Sequence, residues 1–176
     1  MIARRRTRAV SRAGYLALGA RVAVLALAVY LVFTYGFLIT QIVGQGMFPA
    51  MKDGDLCVIF RRQTALMLGE SFQANDIVVY QAEGERRFGR IAAVAGDEVI
   101  IGKRGGLTVN GVSQGGEITF PTYPRDNAEY SAVIPEGTLF VLGDHRTDTQ
   151  DSRDYGPIPL DSVEGKVISI LRRRGL

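Results

Sequence analysis

The hydrophobic pattern divides the chain into one long uncharged run followed by a series of short apolar runs between turns. From Val22 to Val43 the sequence VAVLALAVYLVFTYGFLITQIV carries no charge. As a helix rising 1.5 Å per residue it would extend about 33 Å, enough to cross a hydrocarbon core of about 30 Å. A cleavable leader would have a shorter apolar core, about 7–15 residues, and a buried helix of a soluble domain would show a polar face. The pattern therefore predicts a transmembrane helix over 22–43.

Beyond it the runs shorten to strand length. Leu56 to Phe60 is continuously apolar, which predicts a strand buried on both faces. Asp76 to Tyr80 and Phe88 to Ala95 predict two more, joined by a polar turn over Gln81 to Arg87; residues 61–75 are a connection. Glu98 to Ile101 and Leu107 to Asn110 form a hairpin across 102–106, and Asn110-Gly111 is a strong turn signal. Thr119 to Tyr130 is an irregular, Pro-containing loop. Thr138 to Leu142 and Val163 to Leu171 supply the last strands. Short strands with turn signals between them predict a mostly β, barrel-like domain over 44–176. The 21 glycines and the absence of tryptophan suit such a domain better than a helical bundle.

Charge changes the picture at the two ends. Residues 1–21 hold six arginines (4, 5, 6, 8, 12 and 21) and no acid, and 172–174 are three more. The formal net charge is +3, so the stretch between these ends carries about −6. The basic balance belongs to the ends and gives no basic face for nucleic acid. A basic tail over 1–21 ahead of an apolar span places the N-terminus in the cytoplasm and everything after Val43 outside it. The single cysteine, Cys57, lies in an apolar run and is expected to act as a small buried hydrophobe. Nothing in the residues points to a metal or another cofactor.

The densest polar chemistry is Gly143 to Pro159, GDHRTDTQDSRDYGPIP, between two apolar strands. Asp144, Arg146, Asp148, Asp151 and Arg153 fall within its first eleven residues. Such a loop is either a structural knot, with Asp and Arg paired to each other and to loop amides, or the wall of an active site.

This stretch resembles the last signature box of the type I signal peptidases, membrane-anchored serine proteases that cut leaders from exported proteins. The resemblance rests on Gly143, Asp144, Arg146, Asp151, Ser152, Arg153, Gly156, Pro159, Gly165 and Lys166; His145 replaces the usual Asn, and Thr149 a common Ser. GMFPAMKDGD (46–55) is similar to the family's nucleophile box, NDIVVY (75–80) to its strand box and GRIAAVAGDEV (89–99) to its base box. The order and spacing match over nearly all of 22–170. The resemblance implies a signal-peptidase-type β-barrel-like domain behind a single-pass anchor.

It also implies that the catalytic pair is missing. The family uses a Ser hydroxyl as nucleophile and a Lys, kept neutral by desolvation, as base. The nucleophile position here is Gly46 and the base position Gly89, and neither has a side chain. Removal of either member removes the chemistry, since such a pair acts as a unit. Lys52, Lys103 and Lys166 are the only lysines, and none lies in the base box; the one histidine, His145, is in the wrong box to substitute. The groove around Gly44, Gln45, Gly46, Met47, Phe48 and Pro49 is implied to survive. It would grip an extended peptide through main-chain hydrogen bonds, which needs neither Ser nor Lys. A nucleophile position faces solvent, so a bulky side chain at Gly46 is expected to be accepted by the fold. Catalytically empty signal-peptidase-like proteins stand beside pilus genes in Gram-positive bacteria, and this chain is similar to them in length and in the double loss. The reading is a non-catalytic membrane protein that binds exported precursors or pilin subunits. The alternatives are an active signal peptidase and a scaffold acting through its span.

Overall fold

A computed structural model describes residues 12–115, 120–126 and 128–172, and two compact units separate at Gly36. The first is a helix, α1 (Arg12–Gly36). Its stretch Gly14–Gly36 is long and apolar enough to cross a membrane and buries none of that surface within the chain. The predicted span was displaced: the helix starts ten residues before Val22 and stops before Phe37. Arg21 is thus inside the helix, where a long side chain can carry its charge toward an interface. Of the expected basic tail, residues 1–11 lie outside the described residues and 12–21 are helical.

The run after Gly36 changes conformation rather than polarity. Phe37–Gln41 forms strand β1, antiparallel to β2 (Leu56–Arg61), with Phe37 opposite Phe60 and Gln41 opposite Leu56. The β domain therefore begins at 37, not 44. Hydropathy alone does not separate an apolar helix from an apolar strand.

The remaining elements are α2 (Arg62–Met67), β3 (Ile77–Ala82), β4 (Glu85–Val94), β5 (Glu98–Gly102), β6 (Gly106–Val109), β7 (Val112–Ser113), β8 (Tyr130–Val133), β9 (Thr138–Leu142), α3 (Ser152–Tyr155), β10 (Ile158–Pro159) and β11 (Val163–Leu171). They make two sheets, one ordered β1-β2-β11-β3-β4-β9-β10 and the other β7-β6-β5-β8. The mostly β class is as the sequence predicts. The polar turn expected over 81–87 is instead strand on both sides of Glu83-Gly84, whose φ values of 51° and 75° make the tight two-residue turn. Asn110-Gly111 turns with nearly the same angles, 51° and 75°, as expected from its sequence. Glu-Gly is the weaker signal, since Glu adopts positive φ far less readily than Asn.

Strand alternation distributes side chains among three cores. In β9, Phe140 and Leu142 join Val99, Ile101 and Leu107, while Leu139 and Val141 join Val78, Tyr80 and Ile91. A third core holds Met47, Met51, Cys57 and Ile59. The two-faced burial expected for β2 is found on one side only: Cys57 and Ile59 are buried, while Leu56 is exposed and Val58 and Phe60 are half-buried.

Candidate functional site

The Gly44–Pro49 segment lies between β1 and β2, held by main-chain hydrogen bonds from Ile42 to Asp55, Phe48 to Gln45 and Met51 to Met47. Met47 points into the third core, and Phe48 stays exposed. Gly46 faces the 143–153 loop: the His145 amide donates to the Gly46 carbonyl at 3.0 Å, and the Thr149 hydroxyl oxygen lies 3.2 Å from it. A Cβ on Gly46 would stand 3.3 Å from both Cγ2 and Oγ1 of Thr149. The position is half-buried, because a β-branched side chain from another loop is packed against it.

Gly89 sits in β4 opposite Val78 of β3. A Cβ there would fall 2.4 Å from Cγ1 of Val141 and 3.3 Å from Cε1 of Tyr80. A lysine stem would have to start where Val141 already is. The Tyr80 hydroxyl is buried with no hydrogen-bond partner among the described residues, and burial holds its proton well above the usual range, assisted by the charge of Asp151.

Thr149, His145 and Lys166 are each engaged by other groups. The Thr149 hydroxyl has one proton and a shorter contact to the His145 carbonyl, 2.7 Å, so it is a tethered donor. The His145 ring packs on Phe120 with centroids 4.4 Å apart and edge-on to Phe48 at 6.3 Å. Lys166 pairs with Asp76 at 2.8 Å. No group of three or more potential metal ligands occurs among the described residues.

The acids and bases of the loop form a knot. Asp151 is fully buried; it takes Nε and Nη2 of Arg153 at 2.9 and 2.8 Å, and accepts from the amides of Gly143 and Arg153. It also caps α3 reciprocally with Asp154. Arg153 donates further to the carbonyls of Arg146 and Tyr123. Ser152 accepts from the Val141 amide. Asp144 receives both Nε and Nη2 of Arg90, at 2.9 and 2.7 Å. Arg90 was not singled out from the sequence, although it directly follows Gly89, where the resemblance places the base. Arg146 stands outside these ion pairs. It is 5% exposed, makes one side-chain hydrogen bond, to Thr122, and has no acidic partner among the described residues.

A groove of about 630 Å³ runs beside Gly46, between Ile42–Met47, Glu85–Phe88 and Asp148–Gln150. It brings together Gly44, Gln45, Gly46 and Met47; Phe48 and Pro49 are outside its lining. Its β4 wall is charged: Arg87 pairs with Glu85 at 2.8 Å and Arg86 with Glu164 at 2.9 Å. Sequence reasoning missed this wall by assigning residues 81–87 to a turn.

The family pattern described as "Signal peptidase, peptidase S26" matches residues 15–171. The chain is similar to signal peptidase IB of Staphylococcus aureus, 30% identical over 163 residues that cover 81% of this chain and 83% of the relative. It is also similar to the chloroplastic thylakoidal processing peptidase 1 of Arabidopsis thaliana, 35% identical over 79 residues, 45% of this chain and 22% of that one. The crystal structure of a signal peptidase I from Enterococcus faecalis is 27% identical, with a TM-score of 0.47 over 57% of this chain and 98% of that one.

Proposed function

Because the chain belongs to the signal peptidase family, peptidase S26, we propose that it is a non-catalytic member, which holds exported precursors beside the membrane without cutting them. The observation that carries this reading is the filled space at both glycines: Thr149 packs against Gly46, and Val141 with Tyr80 takes the volume next to Gly89. A Cβ at Gly89 would overlap Val141, and one at Gly46 would need Thr149 to yield by a few tenths of an ångström. The groove beside Gly46 persists, and an extended segment can be held there through main-chain hydrogen bonds. Pilin subunits are the specific partners that the sequence resemblance favours.

In this proposal α1 is a single-pass anchor, with its arginine-rich end in the cytoplasm and the β domain outside. The outer face of β1, β2 and β11, where Ile39, Leu56 and Leu171 are all exposed, suits a lipid interface. Protease added to intact protoplasts should digest the β domain; protection of residues 50–170 would reverse the orientation.

The deciding experiment uses the full chain in liposomes with a radiolabelled precursor carrying a signal peptide. The expected result is no cleavage above a protein-free control, together with crosslinking of the precursor to a photoreactive residue at the exposed Gln45. Cleavage at the small-residue site would establish the enzyme instead. Absence of both cleavage and crosslinking would favour a scaffold acting through α1.

A further inference from the structure

A second cavity lies apart from the Gly46 groove, on the side where the two sheets meet the 120–122 segment. It has a volume of about 330 Å³. Its walls include Arg90, Arg146, Thr122 and Phe120, with backbone at Gly105 and Gly106. Arg146 is the unusual member. A buried guanidinium is costly unless paired, yet its Nε is fully buried with no hydrogen-bond partner among the described residues, and Nη1 reaches only the Thr122 hydroxyl at 2.7 Å. The neighbouring charges are already matched: Asp144 is forked by Arg90, and Asp151 by Arg153. Among the described residues, one positive charge is left over at the cavity wall.

We propose that this cavity is a binding site for a single carboxylate, received by Arg146, on a small organic acid or on an acidic side chain of a peptide. A planar carboxylate matches the guanidinium fork, two oxygens against two N–H groups. A monoanion matches the surplus of one charge, and the Asp144 carboxylate in the Arg90 pair disfavours a second negative charge on the ligand. The glycine walls let a ligand come close to the backbone. The Phe120 ring, which lines this cavity, also packs on His145, whose amide holds the Gly46 carbonyl. Occupancy would therefore reach the Gly46 turn through one aromatic contact. This site is independent of whether the protein cleaves precursors.

The test follows the side-chain Nε–H resonance of Arg146 by nitrogen-15 NMR on the full chain in nanodiscs, assigned by its loss in Arg146→Lys. The probes are butyrate, a capped Ala-Asp-Ala peptide and inorganic phosphate. Expected is a saturable shift with butyrate or the peptide, half-complete below about 1 mM. The stronger of the two identifies the source of the carboxylate. Gly106→Leu adds a side chain to the wall where a Cβ meets nothing within 4 Å. It should keep the unliganded melting temperature and weaken the response about tenfold or more. The proposal is overturned by an unmoved Arg146 signal, by tighter binding of phosphate than of either carboxylate, or by equal binding in Gly106→Leu. A response that emerges only in Glu117→Gln would also overturn it, since the chain's own carboxylate would then be the occupant.

Discussion

Thr149 packs against Gly46: its Oγ1 and Cγ2 both lie 3.3 Å from the point where a Cβ on Gly46 would project, and its Oγ1 lies 3.2 Å from the Gly46 carbonyl oxygen. The two residues are 103 positions apart in sequence. Contact at that distance requires the neighbour to yield by a few tenths of an ångström before any side chain fits. Gly46→Ser should lower the melting temperature of the purified chain by only a few degrees, since a small overpacked group typically costs about 1–3 kcal/mol. Gly46→Phe should lower it much further, and Thr149→Ala should recover part of the loss in the Gly46→Ser background. Thermal melts of the four proteins check this; an unchanged melting temperature in Gly46→Phe would mean that the turn faces solvent.

Gly89→Lys should destabilise more than Gly46→Ser, because its Cβ would overlap Cγ1 of Val141 at 2.4 Å. A fall of several degrees is expected. Val141→Ala, although destabilising alone through loss of buried methyls, should be less harmful in the Gly89→Lys background. The double-mutant cycle measures that coupling directly. Additive effects would place Val141 away from the Gly89 side chain. For the same reason Gly46→Ser with Gly89→Lys should gain no precursor cleavage until Val141 is reduced.

Two ion pairs of similar length should respond in opposite ways. Asp151 with Arg153 is buried on both sides, whereas Arg62 pairs at 3.0 Å with Asp161, whose side chain is 94% exposed. Asp151→Ala leaves a buried guanidinium unpaired and should cost about 3–5 kcal/mol in urea unfolding. Asp161→Ala should cost nothing measurable, since a solvated pair gains little over its separate charges. Equal losses would contradict the burial of the knot.

Stability should fall as the pH is raised from about 9 toward 11, and Cys57 should account for part of the fall. Burial first, and then the charge of Asp55, pushes its thiol up to about 11. Above the unfolded-state pKa the unfolded chain loses the thiol proton while the folded chain keeps it, so the unfolded state gains with pH. The buried Tyr80 phenol acts in the same direction. Urea melts of wild type and Cys57→Ala across this range check the sign. A steeper decline in Cys57→Ala would refute it.

By itself the sequence determined that an apolar run precedes a mostly β domain, that β3, β9 and β11 lie close to their observed bounds, and that four boxes follow one another in the signal peptidase order. These are local properties: charge-free length, short apolar runs and turn residues are all present in neighbouring positions. The helix-to-strand change at Phe37, the strands around Glu83-Gly84 and the short β8 escaped because tertiary pairing overrode weak local signals. Tertiary structure alone decided the state of the site. Whether Gly46 is open, whether Gly89 has room for a lysine and which acid Arg90 meets depend on contacts across 103 residues in the first case and 54 in the last. Arg146 teaches the same point in reverse. Its motif position left its partner open; the sheet order gave Asp144 to Arg90 and the tight 151–153 turn gave Asp151 to Arg153, leaving a buried cation facing a cavity.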